Sequence, residues 1–165
     1  MKIWIITDTH FNHNILVQYG RPSNFEQVIK INLEKEVKED DILIHLGDIC
    51  IGKDKENSNW FKDNLKCKTW LIKGNHDNKS NNWYLNNGWD VVVDRMDFKF
   101  NGKRICFTHI PVSWDGYFDL NIHGHLHDTD IRRHKDDITK LNGYNKLIAI
   151  EYTNYKPVLL KTLIK

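Results

Sequence analysis

Seven side chains between residues 8 and 127 are candidate cation ligands: Asp8, His10, Asp48, Asn75, His109, His125 and His127. A mixed nitrogen and oxygen set of this kind suits manganese, iron or zinc better than calcium, which prefers all-oxygen shells. Manganese is the expected metal, with iron, zinc, nickel and magnesium as alternatives. Seven ligands exceed one tetrahedral site. Two divalent ions about 3.5–4 Å apart, sharing one carboxylate, would use all seven and leave positions open for water and substrate. Water held by such an ion can fall in pKa from 15.7 to about 7, which makes hydroxide accessible near neutral pH.

The elements that must position these groups are legible in the apolar runs before them. Residues 2–7, 41–46 and 68–73 read as buried strands that end at Asp8-Thr9-His10, at Gly47-Asp48 and at Gly74-Asn75-His76-Asp77. In extended geometry Asp8 and His10 point the same way, and so do His125 and His127 after Gly124. Ser23 and Glu26 fit a capping box for a helix with apolar face Phe25, Val28, Ile29, Leu33 and Val37, running to about residue 38. Residues 51–57 read as a charged loop, with a helix opening at Ser58 and another over 80–87. Alternation of strand and helix implies parallel pairing, with ligands gathered at the C-terminal edge. Residues 97–109 read as a hairpin about Asn101-Gly102 that ends at His109, and a short strand over 120–123 precedes the last histidines. Residues 128–146 read as a charged loop, and 147–151 and 158–163 as closing strands. His45, inside an apolar run, reads as a hydrogen-bonded core histidine, and His123 as support for the turn after it.

At 165 residues the chain suits a single domain over 1–165, α/β in class, a size that buries roughly 70% of the unfolded surface. A net charge of +2 lacks the broad basic excess of a protein that coats nucleic acid. Three cysteines without Cys-x-x-Cys spacing argue against a disulfide scaffold or a zinc ribbon and favour the cytoplasm. The first apolar run is too short for a signal peptide, so no membrane association is expected, and nothing marks an obligate protein partner.

The motifs Asp-x-His, Gly-Asp, Gly-Asn-His-Asp, a separate His and Gly-His-x-His occur in that order over residues 8–127. In this the chain resembles the calcineurin-like metallophosphoesterase superfamily. Arg21-Pro22 and Asn154-Tyr155-Lys156-Pro157 are similar to its small stand-alone bacterial and phage members. The resemblance implies a four-layer αββα sandwich. It implies Asp8, His10, Asp48 and His127 on one metal, and Asp48, Asn75, His109 and His125 on the other, with Asp48 bridging. It implies hydrolysis of a phosphodiester or phosphomonoester by attack of a metal-bound hydroxide, with His76 as the proton donor to the leaving oxygen. Asp77 would orient His76 or cap a helix. Asp48 to Gly52 lacks the Asp-Arg-Gly continuation of serine/threonine protein phosphatases, so the expected substrate is a small or nucleotide-like phosphoester.

Around these motifs the readings stay open. His13 and Arg21 can approach a phosphate or be ordinary loop residues. Trp114 and Tyr117 can stack on a base or sugar, or simply pack. The Arg132 to Lys135 cluster favours processing of RNA or DNA ends, and the near-neutral charge disfavours it. A non-enzymatic scaffold on the same fold, similar to the retromer subunit, would have lost ligands.

Overall fold

The computed structural model describes residues 1–127 and 142–164. The chain runs through β1 (Ile3–Ile6), α1 (Phe25–Glu36), β2 (Ile42–His45), α2 (Asp54–Asn64), β3 (Lys68–Ile72), α3 (Asn81–Asn86) and β4 (Val91–Val93). It continues through β5 (Arg95–Phe100), β6 (Lys103–Thr108), β7 (Leu120–His123), β8 (Asn145–Leu147), β9 (Val158–Leu159) and α4 (Leu160–Leu163). Two sheets result, ordered β4-β3-β2-β1-β9 and β5-β6-β7-β8.

The strands are short apolar runs whose alternate side chains serve different layers. Ile5, Ile44 and Ile72 meet Ile105, Phe107 and Ile122 of the second sheet. Trp4, Ile6, Leu43 and Leu71 turn the other way, onto Phe25, Ile29 and Leu33 of α1, Phe61 of α2 and Tyr84 of α3. Spacing of four along α1 puts its three buried residues on one stripe, and each fully buried side chain of this size stabilises the fold by about 1.5–3 kcal/mol. The outer face of the second sheet carries the segment 110–119. Asn121 accepts there from Val112 N at 3.2 Å and donates to Cys106 O at 3.1 Å, and Arg95 lies over the Phe118 ring at 5.8 Å. This is the expected pair of sheets flanked by helices.

β1, β2 and β3 pair in parallel, as do β6 and β7, so five strand ends open on one edge. The two mouths touch: His109 Nδ1 lies 2.7 Å from Leu46 O, and His125 N donates to Asp8 Oδ2 at 3.0 Å.

Several local expectations are corrected. Asn24, not Ser23, stands at the start of α1 without a side-chain cap, and Glu26 accepts instead from Asn12 N at 2.8 Å. α2 begins at Asp54 rather than Ser58, because Asn57 and Ser58 are buried and Asn57 reaches back to Asn12 Oδ1 at 2.6 Å; acidic residues in its first turn suit the helix dipole. β8 occupies 145–147, ahead of the expected strand at 147–151, and the chain past it turns, with Tyr152 N bonded to Ala149 O. The expected strand at 158–163 is two residues followed by α4. Its ladder pairs Ile5 with Val158 and Trp4 with Leu159, and so runs out at the start of β1. Among the described residues all three cysteines are free and buried, and no helix is long and apolar enough to cross a membrane.

Asp41, 4% exposed, staples the start of the first sheet by accepting from Lys2 N (2.7 Å), Trp4 Nε1 (2.9 Å) and Lys38 N (3.1 Å). Burial disfavours its charge, but these bonds from Trp4, Lys2 and Lys38 outweigh burial and hold the carboxyl below its usual value. A depressed carboxyl stabilises the fold above its unfolded pKa, about 3.9, and that contribution is lost as pH falls through the folded value. Asp41→Asn is therefore expected to reduce unfolding free energy at pH 7 by about 1–3 kcal/mol, with the gap to wild type narrowing at acid pH; urea unfolding at both pH values checks this.

Candidate metal centre

Backbone strain concentrates where the ligands stand. Asp8 (φ 51°), His10 (φ 47°), Asp48 (φ 58°) and His125 (φ 69°) all have left-handed φ, which costs on the order of 1–3 kcal/mol each outside glycine. Asp8 and His10 are thus curled rather than extended. The curl is held by pairing with the next loop, through Asp8 N to Gly47 O at 3.0 Å and His10 N to Asp48 O at 3.0 Å. Two glycines permit the close approach. A methyl at Gly74 would strike Asp48 Oδ1, and one at Gly124 would strike Thr7 Oγ1 and Asp8 Oδ2.

Two groups of acceptors emerge, Asp8 with His10 and His127, and Asp48 with His109 and His125. His125 and His127 therefore face different groups, not the same way as simple alternation suggested. In the first group His10 Nε2 lies 3.2 Å from His127 Nε2, and Asp8 Oδ1 is 3.7 Å from His10 Nε2 and 3.6 Å from His127 Nε2. In the second, His109 Nε2 lies 3.0 Å from Asn75 Oδ1, 3.2 Å from His125 Nδ1 and 3.3 Å from Asp48 Oδ2. Asp48 joins the two: its Oδ2 is also 3.6 Å from His10 Nε2, while its Oδ1 accepts from His76 N at 2.9 Å.

Chemistry of the donor set decides what fits between these atoms. Asp8 Oδ1 is buried without a hydrogen-bond partner, its other oxygen being taken by Thr7 Oγ1 and His125 N. A carbonyl can only accept, so His109 gives its Nδ1 proton to Leu46 O and turns Nε2 inward, onto oxygens. Lone pairs that converge in a buried place repel one another unless a cation lies between them. The residues present fit divalent ions in both groups.

A family profile described as calcineurin-like phosphoesterase matches residues 1–160. The chain belongs to the calcineurin-like phosphoesterases. It is similar to the uncharacterized protein MJ1445 of Methanocaldococcus jannaschii, 31% identical over 177 residues that cover 99% of this chain and 90% of that one. It is also similar to the solved structure of the protein of unknown function AQ665 from Aquifex aeolicus, at 26% identity and a TM-score of 0.74 over 98% of this chain and 97% of the other.

Other residues of this calcineurin-like phosphoesterase have roles that geometry redefines. Asp77 neither orients His76 nor caps a helix. It accepts from Asp48 N (2.8 Å), Ile49 N (3.1 Å) and Gly74 N (2.8 Å), and so clamps two ligand loops together. Burial raises its pKa, and the nearby Asp48 charge adds to this against those backbone bonds. Arg21 is engaged inside the protein. It is buried, and its guanidinium is bound to Glu151 Oε1 at 2.8 Å and to the carbonyls of Asp8 at 2.9 Å and Thr9 at 3.3 Å. Trp114 is not brought to the centre: its ring stacks on Tyr144 at 5.1 Å and 13°, and its Nε1 donates to Phe118 O. Tyr117 is exposed beside it. His13 does stand at the rim, its ring 5.3 Å from that of His10 and 6.3 Å from that of His76, with Nδ1 unpartnered. The Arg132 to Lys135 cluster lies outside the described residues.

His45 is a core histidine. Thr9 Oγ1 donates to Ile49 O, so it accepts from His45 Nε2 at 3.0 Å, while His45 Nδ1 accepts from Gly47 N; burial pushes its pKa down to about 3 and it stays neutral. His123 is buried, with Nδ1 2.9 Å from Gly124 O, and burial takes it down to about 4. Glu151 is not among the candidate residues, although it stands just before the Asn154-Tyr155-Lys156-Pro157 stretch that pointed to this part of the chain. Its Oε1 meets both Arg21 and His127 Nδ1, the latter at 3.2 Å; burial would raise its pKa, but the His127 bond and the Arg21 charge bring it down to about 2.

Without metal, a proton does part of a cation's work. Burial alone would lower the pKa of His109, but the hydrogen bond to Asp48, the charges of Asp8 and Asp48, and the Leu46 carbonyl raise it to about 9. Asp48 is correspondingly held low: burial opposes its charge, and His109 overcomes that. A metal at His109 Nε2 must displace this proton. Loading the metal-free protein with manganese at pH 7 is expected to release about one proton, a release that fades as pH rises past about 9. Calorimetric titration in buffers of different ionisation enthalpy checks it; a heat independent of buffer would contradict it.

Proposed function

We propose that the chain hydrolyses an ester bond of a small or nucleotide-like phosphoester, diester or monoester, at a centre of two divalent cations, with manganese the expected ion. The observation that carries this reading is Asp48 Oδ2, set 3.6 Å from a ligand atom of one acceptor group and 3.3 Å from one of the other. One carboxylate between two otherwise complete groups suits a shared oxygen of a paired site. Asp8, His10 and His127 would hold one ion and Asn75, His109 and His125 the other. When bound, such ions supply Lewis acidity toward phosphoryl oxygens and an activated water.

The chain's own groups do the rest. His76 is fixed through its backbone bond to Asp48, yet its side chain is 41% exposed and its ring stands 5.4 Å from that of His10. An imidazole held at the site but open to solvent can give a proton to a leaving oxygen and regain one from water. His13, across the rim, would donate to a phosphate oxygen. Beside the second group lies a cavity of about 340 Å³ lined by Asn75 and His109 together with Lys73, Asp94, Arg95, Ile110 and Val112. That volume falls in the range of small-molecule sites, roughly 300–1,000 Å³, and its mixture of charged and aliphatic walls would take a small phosphoester. A scaffold that had lost catalysis would lack ligands, and all seven stand together here.

His76→Ala is expected to keep folding and metal content while lowering kcat by about 10²- to 10⁴-fold, and Asp48→Ala to lose metal. Metal-reconstituted wild type and both variants, assayed on a chromogenic phosphodiester beside a phosphomonoester with metal analysis of each sample, test this. Full turnover by His76→Ala would remove the proton-donor role, and no turnover of either ester by the wild type would remove the reading.

A further inference from the structure

We propose that Glu151 and Arg21 are positioning residues that fix His127 in its ligating form and set the affinity of the Asp8, His10, His127 group, separately from the other group. This rests on the reading that the group binds a divalent cation. Glu151 comes from the turn after Ile150, 24 residues beyond His127 along the chain, yet its side chain is only 11% exposed and its Oε1 takes Arg21 Nε at 2.9 Å and Nη2 at 2.8 Å. The same oxygen faces His127 Nδ1 at 3.2 Å. A carboxylate oxygen only accepts, so Nδ1 carries the proton and Nε2 presents its lone pair to His10 and Asp8. Arg21 Nη2 also approaches Nδ1, at 3.4 Å, but that nitrogen is already committed to Glu151 and to Asp8 O at the shorter distances of 2.8 and 2.9 Å. One guanidinium therefore anchors both the backbone of ligand Asp8 and the carboxylate behind ligand His127.

In the second group the ligand His109 is backed differently. His109 Nδ1 rests on the neutral Leu46 carbonyl, and His125 Nδ1 faces His109 itself. A carboxylate behind a ligating imidazole raises its basicity and fixes its orientation, and removing such a partner costs about 10- to 100-fold in metal affinity. Glu151 thus acts on the first group through His127.

Manganese binding to metal-free full-length protein, followed by equilibrium dialysis and electron paramagnetic resonance, tests this. Wild type is expected to take up two ions with a spin-coupled signal. Glu151→Gln is expected to weaken one of the two affinities by about 10- to 100-fold and leave the other unchanged, so that one equivalent gives an isolated-ion spectrum. Both affinities unchanged, or both weakened alike, would overturn the proposal while leaving the two-ion reading intact; a wild type that takes up no manganese would overturn both. Should Glu151→Gln fail to fold, nitrogen NMR of the metal-free wild type, at a pH where the ring is neutral, decides: His127 as the Nδ1–H tautomer supports the assignment, and Nε2–H overturns it.

Discussion

Converging lone pairs are the constraint on which this structure depends. Asp8, Asp48, Asn75 and four imidazoles point their acceptor atoms into one buried edge, where they disfavour one another. Holding them there in advance of any cation requires that the surrounding backbone be over-determined. Asp77 binds three amide groups from two loops, the Thr9–His45 pair bolts the first loop to the second, and Gly74 and Gly124 let Asp48 and Asp8 approach within contact of neighbouring backbone and side chain. None of these groups needs to touch a substrate, and each preserves the geometry that substrate chemistry demands.

Left-handed φ at four candidate ligands follows from the same requirement. Strand ends on two facing sheets approach from different directions, and regular extended backbone cannot aim Asp8 and His10 at one point while Asp48 meets them from the adjacent strand. The curl reorients each side chain, and pairing of loop with loop offsets its cost. Burial makes the arrangement sensitive to charge. In the metal-free chain His109 holds a proton against Asp48, and Glu151 holds His127 with the help of Arg21, so protons and a guanidinium partly neutralise the carboxylates. The C-terminal turn thereby becomes part of the centre, although it carries none of the seven candidate ligands.

The chain's order of apolar runs and motif loops determined much by itself. Strands at 3–6, 42–45 and 68–72 were legible because buried parallel strands are continuous β-branched and aliphatic runs, and all seven candidate ligands followed apolar runs. His45 was legible as a core residue because it sits inside one. Tertiary structure alone decided the rest. α2 starts at Asp54 because Asn57 finds Asn12, a contact across 45 residues that no local pattern announces. Arg21 and Trp114 looked equally free to meet a phosphate or a base, and only long-range partners, Glu151 for one and Tyr144 for the other, withdrew them. Asp77 and Glu151 took their roles from backbone and side chains brought near by sheet packing. Local sequence encodes which groups stand at strand ends, since that is set by hydrophobic periodicity. Which atom each group faces depends on the meeting of two sheets, and that is a property of distance in space rather than along the chain.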